Sequence, residues 1–255
     1  MSKGMSTFAI KGGFGDFLQC LPFMLFHPYH RYLVASHNNH VVEFFAAVNL
    51  KVEELSLGKL TGIDNCPRRL FFNDNPFPRQ PAIFTGDRPV IGVHLGGSDY
   101  SLNVEKRFGF PPKALPLTVL GALVSACDQY DFLLFGSTDE LAELVVRENS
   151  QLRFVDNVDV TVSLSHVAEC TALIGSDSAF KTMSAMLHIP TIVWVGDYRD
   201  DHRDEKFIDP YVKAGVLTAF RYRDLTSDDE VNAGVKFCLE QLAALNWGSR
   251  NARSA

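Results

Sequence analysis

No Cys-x-x-C pair occurs in the 255 residues, and the five cysteines (Cys20, Cys66, Cys127, Cys170 and Cys238) are odd in number and widely spaced. That argues against a disulfide framework and a cysteine zinc site, and it fits a reducing, cytoplasmic compartment. No apolar run approaches the ~20 residues that a bilayer span requires. A signal-peptide pattern is missing as well, because Lys11 and two glycines interrupt the first apolar segment. There is no Asp-x-Asp metal motif. The acidic group Asp200, Asp201, Asp204 and Glu205 reads as a solvated loop rather than a cation site. Excess positive charge is missing too: the net charge is −6, with nine Lys/Arg against seven Asp/Glu over residues 1–88 and fifteen against twenty-three over 89–255. A general nucleic-acid binder is therefore unsupported. The slightly basic first part leaves room for an anionic partner. What the chain does have is an apolar fraction of 46%, enough for a real core, and a length that suits one large or two small domains.

The order of apolar runs and turn residues reads as alternating strands and helices. Thr7–Lys11 is a first strand. Gly12, Gly13 and Gly15 make a turn, and Asp16 opens a helix over Phe17–Phe26 despite Pro22. Arg31–Ser36 is extended, Val41–Val48 helical, and Val52–Leu57 and Arg69–Phe72 extended. The proline-rich span Asn73–Pro81 and Gly86–Pro89 reads as a connector. A second set begins at Val90–Leu95, which ends in Gly96-Gly97-Ser98. A polar loop, Asp99–Phe108, follows, and it carries Lys106 and Arg107. Next come a helix over Leu117–Cys127, a strand Phe132–Phe135 ending at Gly136, and a helix Asp139–Asn149 capped by Thr138 or Asp139. A strand Leu152–Val155 and a helix Thr161–Cys170 complete this stretch. After a charged loop, Asp197–Glu205, a last helix spans Asp228–Leu245 and starts at Thr226 or Ser227.

Three stretches carry possible chemistry. In Ala172–Asp197, an apolar run ends in Gly-Ser-Asp-Ser, a helix follows, and Thr191–Val195 is a second apolar run, so the unit reads as a parallel βαβ crossover. Asp177 or Ser178 caps that helix, and its amide groups can either hold a phosphate or belong to an ordinary capped helix. The first glycine turn is a poor dinucleotide fingerprint, because Leu18 stands where glycine or alanine is needed, and NAD binding is disfavoured. The pairs His27/His30 and His37/His40 flank six residues of strand, roughly 20 Å when extended, too far apart for one metal. Strands followed by helices in both parts imply an α/β protein of two Rossmann-like, doubly wound domains facing a cleft, residues 1–86 and 87–255.

The motif Gly15-Asp16-Phe17-Leu18-Gln19-Cys20-Leu21-Pro22 resembles the Gly-Asp-x-Leu-x-x-x-Pro opening of the ADP-heptose:lipopolysaccharide heptosyltransferases, glycosyltransferase family 9, which have the GT-B fold. Residues 175–191 resemble that family's Asp-Ser/Thr-Gly-x-x-His-x-x-Ala-Ala-Leu-x-x-Pro-Thr segment. His94–Gly97, Lys106–Phe108 and Gly136–Glu140 echo its strand-to-glycine turn, Lys-x-Trp-Pro and Gly-x-x-x-Glu in the same order. Two departures fall on the donor-phosphate helix: Ala179 replaces the family glycine and Thr182 the family histidine. The chain is short for the family, with the deficit in the N-terminal, acceptor-binding domain.

The resemblance implies an inverting, metal-independent sugar transfer from a nucleotide-diphosphate sugar, with no further cofactor. The acceptor is left open, an anionic glycan or nucleic acid being compatible. Asp16 is implied as the base, with a helix-capping role as the alternative. The donor side is implied to comprise Gly96, Gly97, Lys106, Gly136, Asp177, Ser178, Ala179, Phe180, Lys181 and Thr182. Lys106 supplies a cation in that scheme, and Lys181 a second one that sits against the helix dipole. A noncatalytic sugar-nucleotide-binding protein is the alternative, and an NAD-dependent oxidoreductase a weaker one.

Overall fold

The computed structural model describes residues 4–35, 41–77, 88–96, 115, 117–136, 151–156, 160–196, 208–225 and 227–245. The chain builds two parallel sheets. The first contains β1 (Thr7–Ile10), β2 (Arg31–Ala35) and β3 (Val52–Leu55) in the order β1-β2-β3, linked by α1 (Phe14–Phe26) and α2 (Val41–Ala47). Register is regular, with Thr7 opposite Arg31 and Tyr32 opposite Val52. Alternation along the strands sends Ile10, Tyr32 and Val34 to one face, against Phe17 and Leu21 of α1 and Phe44 and Phe45 of α2. Ala9, Leu33 and Ala35 go to the other face, over Leu60. This is one βαβαβ half of a doubly wound domain, which is how the N-terminal part is reduced. The chain then crosses to the far edge of β1. There the Ala9 N–H donates to the Asp64 carbonyl and the Cys66 N–H to the Ala9 carbonyl, both at 2.7 Å.

The second sheet has six parallel strands: β4 (Val90–His94), β5 (Asp131–Gly136), β6 (Leu152–Asp156), β7 (Ala172–Ser176), β8 (Thr191–Gly196) and β9 (Leu217–Tyr222). Their order, β6-β5-β4-β7-β8-β9, is that of a dinucleotide-type doubly wound sheet, and the winding reverses between β4 and β7. The four inner strands, β4, β5, β7 and β8, are buried along almost their whole length, as parallel strands covered on both sides must be. One face carries α4 (Leu117–Ala126) and a C-terminal helix, α8 (Asp228–Ala244). Gly234 of α8 lies so close to Trp194 that a Cβ there would stand 2.1 Å from Cη2 of the indole. On the other face lie α5 (Val160–Glu169) and α6 (Ala179–Met186), with the short α7 (Asp209–Lys213) beyond. Phe180, Met183 and Met186 of α6 share one continuous apolar core with Leu173 and Val193 of the second sheet and with Phe17, Leu18 and Leu21 of α1. Helix α6 is therefore packed between the two sheets.

One expected element is corrected, and two appear that were not anticipated. Arg69–Phe72 is not a strand: Phe71–Asp74 form a helical turn, α3. Phe71 is wholly buried and Phe72 packs edge-on against Tyr211 at 5.3 Å, whereas a strand would turn one of these two adjacent rings outward. Strand β9 and helix α7 were not anticipated; β9 is an edge strand of mixed polarity, LTAFRY, whose pairing with β8 is non-local. Ser227 does stand at the N-cap of α8, without a side-chain cap bond. The expected helix Asp139–Asn149, most of the connector and the loops Asp99–Phe108 and Asp197–Glu205 lie outside the described residues.

Candidate functional site

In open parallel sheets the crevice beyond the carboxyl ends of the strands, where winding reverses, is where ligands bind. Here that place is the end of β4 beside the end of β7, with His94 paired to Gly175. The two strand ends are held closely. The Ser176 hydroxyl donates to the Gly96 carbonyl at 2.6 Å. A Cβ on Gly175 would lie 2.8 Å from the His94 carbonyl oxygen, so this close approach depends on glycine. Gly136 ends β5, one strand to the side, opposite Asp156.

Helix α6 starts directly above β7. Ser178 is its N-cap by backbone position, but no side chain caps the helix. The expected cap by Asp177 or Ser178 is therefore corrected, and both side chains have other partners. Ser178 Oγ lies 3.0 Å from His94 Nδ1, and Asp177 Oδ1 accepts from Lys181 Nζ at 2.6 Å. Burial alone pushes His94 down to about 3, so its ring is neutral at neutral pH. A histidine held neutral in this way is no general base for the serine, and the contact serves position. The ring also stacks on Phe180, with centroids 4.2 Å apart. Lys181 is almost wholly buried, and its ammonium lies 5.7 Å from the centroid of the Tyr211 ring as well as against Asp177. Phe180 and Thr182 are buried; Asp177, Ser178 and Ala179 are half-buried at the rim.

Facing this end is the start of α1. Gly12 adopts a left-handed φ of +118°, and a Cβ on it would stand 2.0 Å from Asp16 Oδ2. Asp16 is the third residue of the helix rather than its cap. Its Oδ2 accepts the Gly13 N–H at 2.8 Å, one half of a capping box. Its Oδ1 pairs with Arg68 Nη1 at 2.8 Å. Asp16 is therefore not the N-cap weighed for it, a position Gly13 holds, but the capping-box acid at the third helical position, and the Arg68 it pairs with lines a cleft. That cleft, of about 490 Å³, is lined by Ile10, Lys11, Cys20, Asn65, Cys66 and Arg68 beside the end of β1. Contact with the Cys20 thiol, then burial, push the Cys66 thiol up, so Cys66 is not set up as a nucleophile.

The two helix starts meet. A Cβ on Gly15 would stand 3.5 Å from Ala179 Cα and 3.7 Å from its nitrogen. Asp16 is matched by Arg68 and Asp177 by Lys181, which leaves two helix N-termini, each worth roughly half a positive charge, converging on one rim. Such a place favours an anion. Of the expected donor residues, Gly96, Asp177, Ser178, Ala179, Phe180, Lys181 and Thr182 come together here, and Gly136 sits one strand away. Gly97 and Lys106 lie outside the described residues. Sequence reasoning missed Arg68 and Tyr211 and gave His94 no role beyond the turn; the adjacent Arg68-Arg69 in a slightly basic segment was the available signal for the first.

The architecture is that of the GT-B glycosyltransferases. Over 92% of this chain and 100% of the other, the structure is similar to the ADP-heptose lipopolysaccharide heptosyltransferase II of E. coli, at 14% identity and a TM-score of 0.52. It is also similar to the E. coli heptosyltransferase WaaC with ADP, over 94% of this chain and 98% of that one, at 10% identity and a TM-score of 0.58. The same enzyme with ADP-2-deoxy-2-fluoro heptose matches over 93% and 100%, at 12% identity and a TM-score of 0.58. At these identities the likeness is one of fold. No protein-family model and no curated protein sequence matches the chain.

Proposed function

We propose that the protein is a glycosyltransferase that moves a sugar from a nucleotide-diphosphate sugar to an acceptor hydroxyl, with inversion and without a metal. The observation that carries this reading is the convergence of the α1 and α6 N-termini at the strand-order reversal, with Asp16 on one side and Ala179 on the other. In the proposed step the acceptor oxygen forms a bond to the anomeric carbon while that carbon's bond to the diphosphate oxygen breaks. Asp16 takes the hydroxyl proton. The leaving diphosphate gains charge, which the amides of Ser178, Ala179 and Phe180 and the two helix dipoles receive. Gly96 lets the backbone approach the diphosphate, and Gly97 and Lys106 extend this side of the scheme. Lys181 acts within its pair with Asp177, which one of its three ammonium donors engages. Residues 1–86 form the acceptor side, with Lys11 and Arg68 at its cleft suited to an anionic acceptor, and residues 87–255 form the donor side.

The engagement of both Asp16 oxygens favours one second reading, a sugar-nucleotide-binding protein without turnover, in which Asp16 only caps α1 and holds Arg68. A thermal-shift panel of nucleotide sugars and nucleoside diphosphates tests the shared premise, since a ligand of the folded state raises the melting temperature. If none of them shifts it, both readings are refuted. Asp16→Asn then separates the two. It keeps an acceptor for the Gly13 N–H but cannot take a proton at neutral pH, so a transferase loses turnover while keeping donor affinity.

A further inference from the structure

Serine at a helix N-cap ordinarily turns its hydroxyl oxygen onto the amide of the second or third helical residue. Ser178 does not, although its backbone is extended as a cap requires (φ −141°, ψ 179°). Its Oγ sits 3.0 Å from Nδ1 of His94, a residue 84 positions earlier that ends the neighbouring strand. His94 cannot readily give way. Its ring is buried against Phe180, and its carbonyl abuts Gly175.

We propose that His94 is a positioning residue that holds the Ser178 hydroxyl away from the first-turn amides of α6 and so keeps them presented to the donor diphosphate. The proposal rests on the donor reading above. Without His94 Nδ1, the half-buried hydroxyl is free to make the bond an N-cap serine ordinarily makes, to the amide of the second or third helical residue, here Phe180 or Lys181. An N-cap bond then competes with the ligand. Such a bond makes the competent arrangement a minority, which weakens affinity about fivefold.

The test measures ADP, UDP and dTDP binding by calorimetry in wild type, H94F, H94L, H94N and the double variants H94F/S178A and H94L/S178A. H94F keeps a stacking ring, H94L is the fallback should H94F not fold, and H94N retains a polar atom near the Nδ1 position. The expected result is about fivefold weaker binding in H94F or H94L. Removing the Ser178 hydroxyl in that background is expected to strengthen binding again, and H94N to stay closer to wild type than either. A merely structural role for His94 predicts no such recovery. Unchanged affinity in H94F and H94L, or a loss that the second substitution leaves in place or deepens, overturns the proposal. Amide hydrogen exchange at Phe180 and Lys181, referred to the last turn of α6, gives a readout that needs no ligand. It is expected to slow in H94F and to recover in H94F/S178A. Failure of wild type to bind any of the three nucleotides overturns the donor reading, while unchanged exchange overturns the positioning role by itself.

Discussion

Breaking the Asp177–Lys181 pair is expected to cost stability unequally, depending on which partner is removed. The two side chains meet at 2.6 Å, but Lys181 is 3% exposed and Asp177 20%. Removing one member of a buried pair costs about 3–5 kcal/mol, chiefly because the other charge is left without compensation in a poor solvent. In Lys181→Met the carboxylate loses this partner but still reaches water over a fifth of its surface, so about 3 kcal/mol is expected. In Asp177→Asn the ammonium loses its carboxylate partner at a place almost sealed from water, with the Tyr211 ring 5.7 Å away. The expected cost is about 4–5 kcal/mol. Exchanging both for apolar residues, Lys181→Met with Asp177→Leu, removes both desolvation penalties and is expected to recover most of the loss. Urea unfolding of the four proteins, with slopes compared to confirm a common denatured state, measures all of this. A cost below about 1 kcal/mol for Lys181→Met, as for an exposed pair, or an Asp177→Asn that is milder than Lys181→Met, would refute the reasoning.

Stability is also expected to depend on pH through His94, whose folded value of about 3 lies below the unfolded 6.5. The unfolded chain takes up the proton first, so the contribution is intact above 6.5 and is lost as pH falls toward 3. Between pH 7 and 5 the loss is about 2 kcal/mol, and it should be missing from the pH profile of H94F. Gly175→Ala drives a Cβ to 2.8 Å from a backbone oxygen, and Gly234→Ala drives one to 2.1 Å from the Trp194 ring. Both should lower urea midpoints by an amount equivalent to about 1–3 kcal/mol, but only Gly175→Ala, at the β4–β7 seam, should also weaken nucleotide binding. Asp16→Ala removes the acceptor for the Gly13 N–H, at about 1 kcal/mol of stability. In a transferase assay it is expected to lower turnover by roughly 100-fold or more with donor affinity kept.

Local pattern carried much of the fold. Apolar runs bounded by glycine placed β1, β4, β7 and β8, and turn residues placed the starts of α1 and α6 to within a few residues, although Gly15, read as turn, is helical and Ser178 does not cap α6 with its side chain. What local pattern could not convey is who meets whom. Arg68 reaches Asp16 from 52 positions away and His94 reaches Ser178 from 84, and each contact depends on strand order rather than on periodicity. Lys181 illustrates the same limit. From sequence Lys181 reads as a second cation for the diphosphate, set against the helix dipole, yet the packing of α6 between two sheets buries it and matches it to Asp177. The turn at Phe71–Asp74 escaped for a related reason, since its geometry answers to two rings that must both face the core.

Helix α6 joins these observations, because it is held at both ends by the first part of the chain. At its start Gly15 abuts Ala179. At its end Asn75 Nδ2 donates to the carbonyls of Met186 and Ala185, at 3.1 and 3.4 Å, and the His188 ring lies 3.0 Å from the Phe77 carbonyl. Between them, Phe180, Met183 and Met186 belong to the same core as α1. A close-packed core does not deform gradually. A change in how the two sheets sit therefore has to carry α6 with one of them and give up the contacts to the other. The amides proposed to hold the diphosphate and the seam between the sheets are thus parts of one helix. Occupancy of the first should raise the stability of the second, through coupling that needs no contact between ligand and seam.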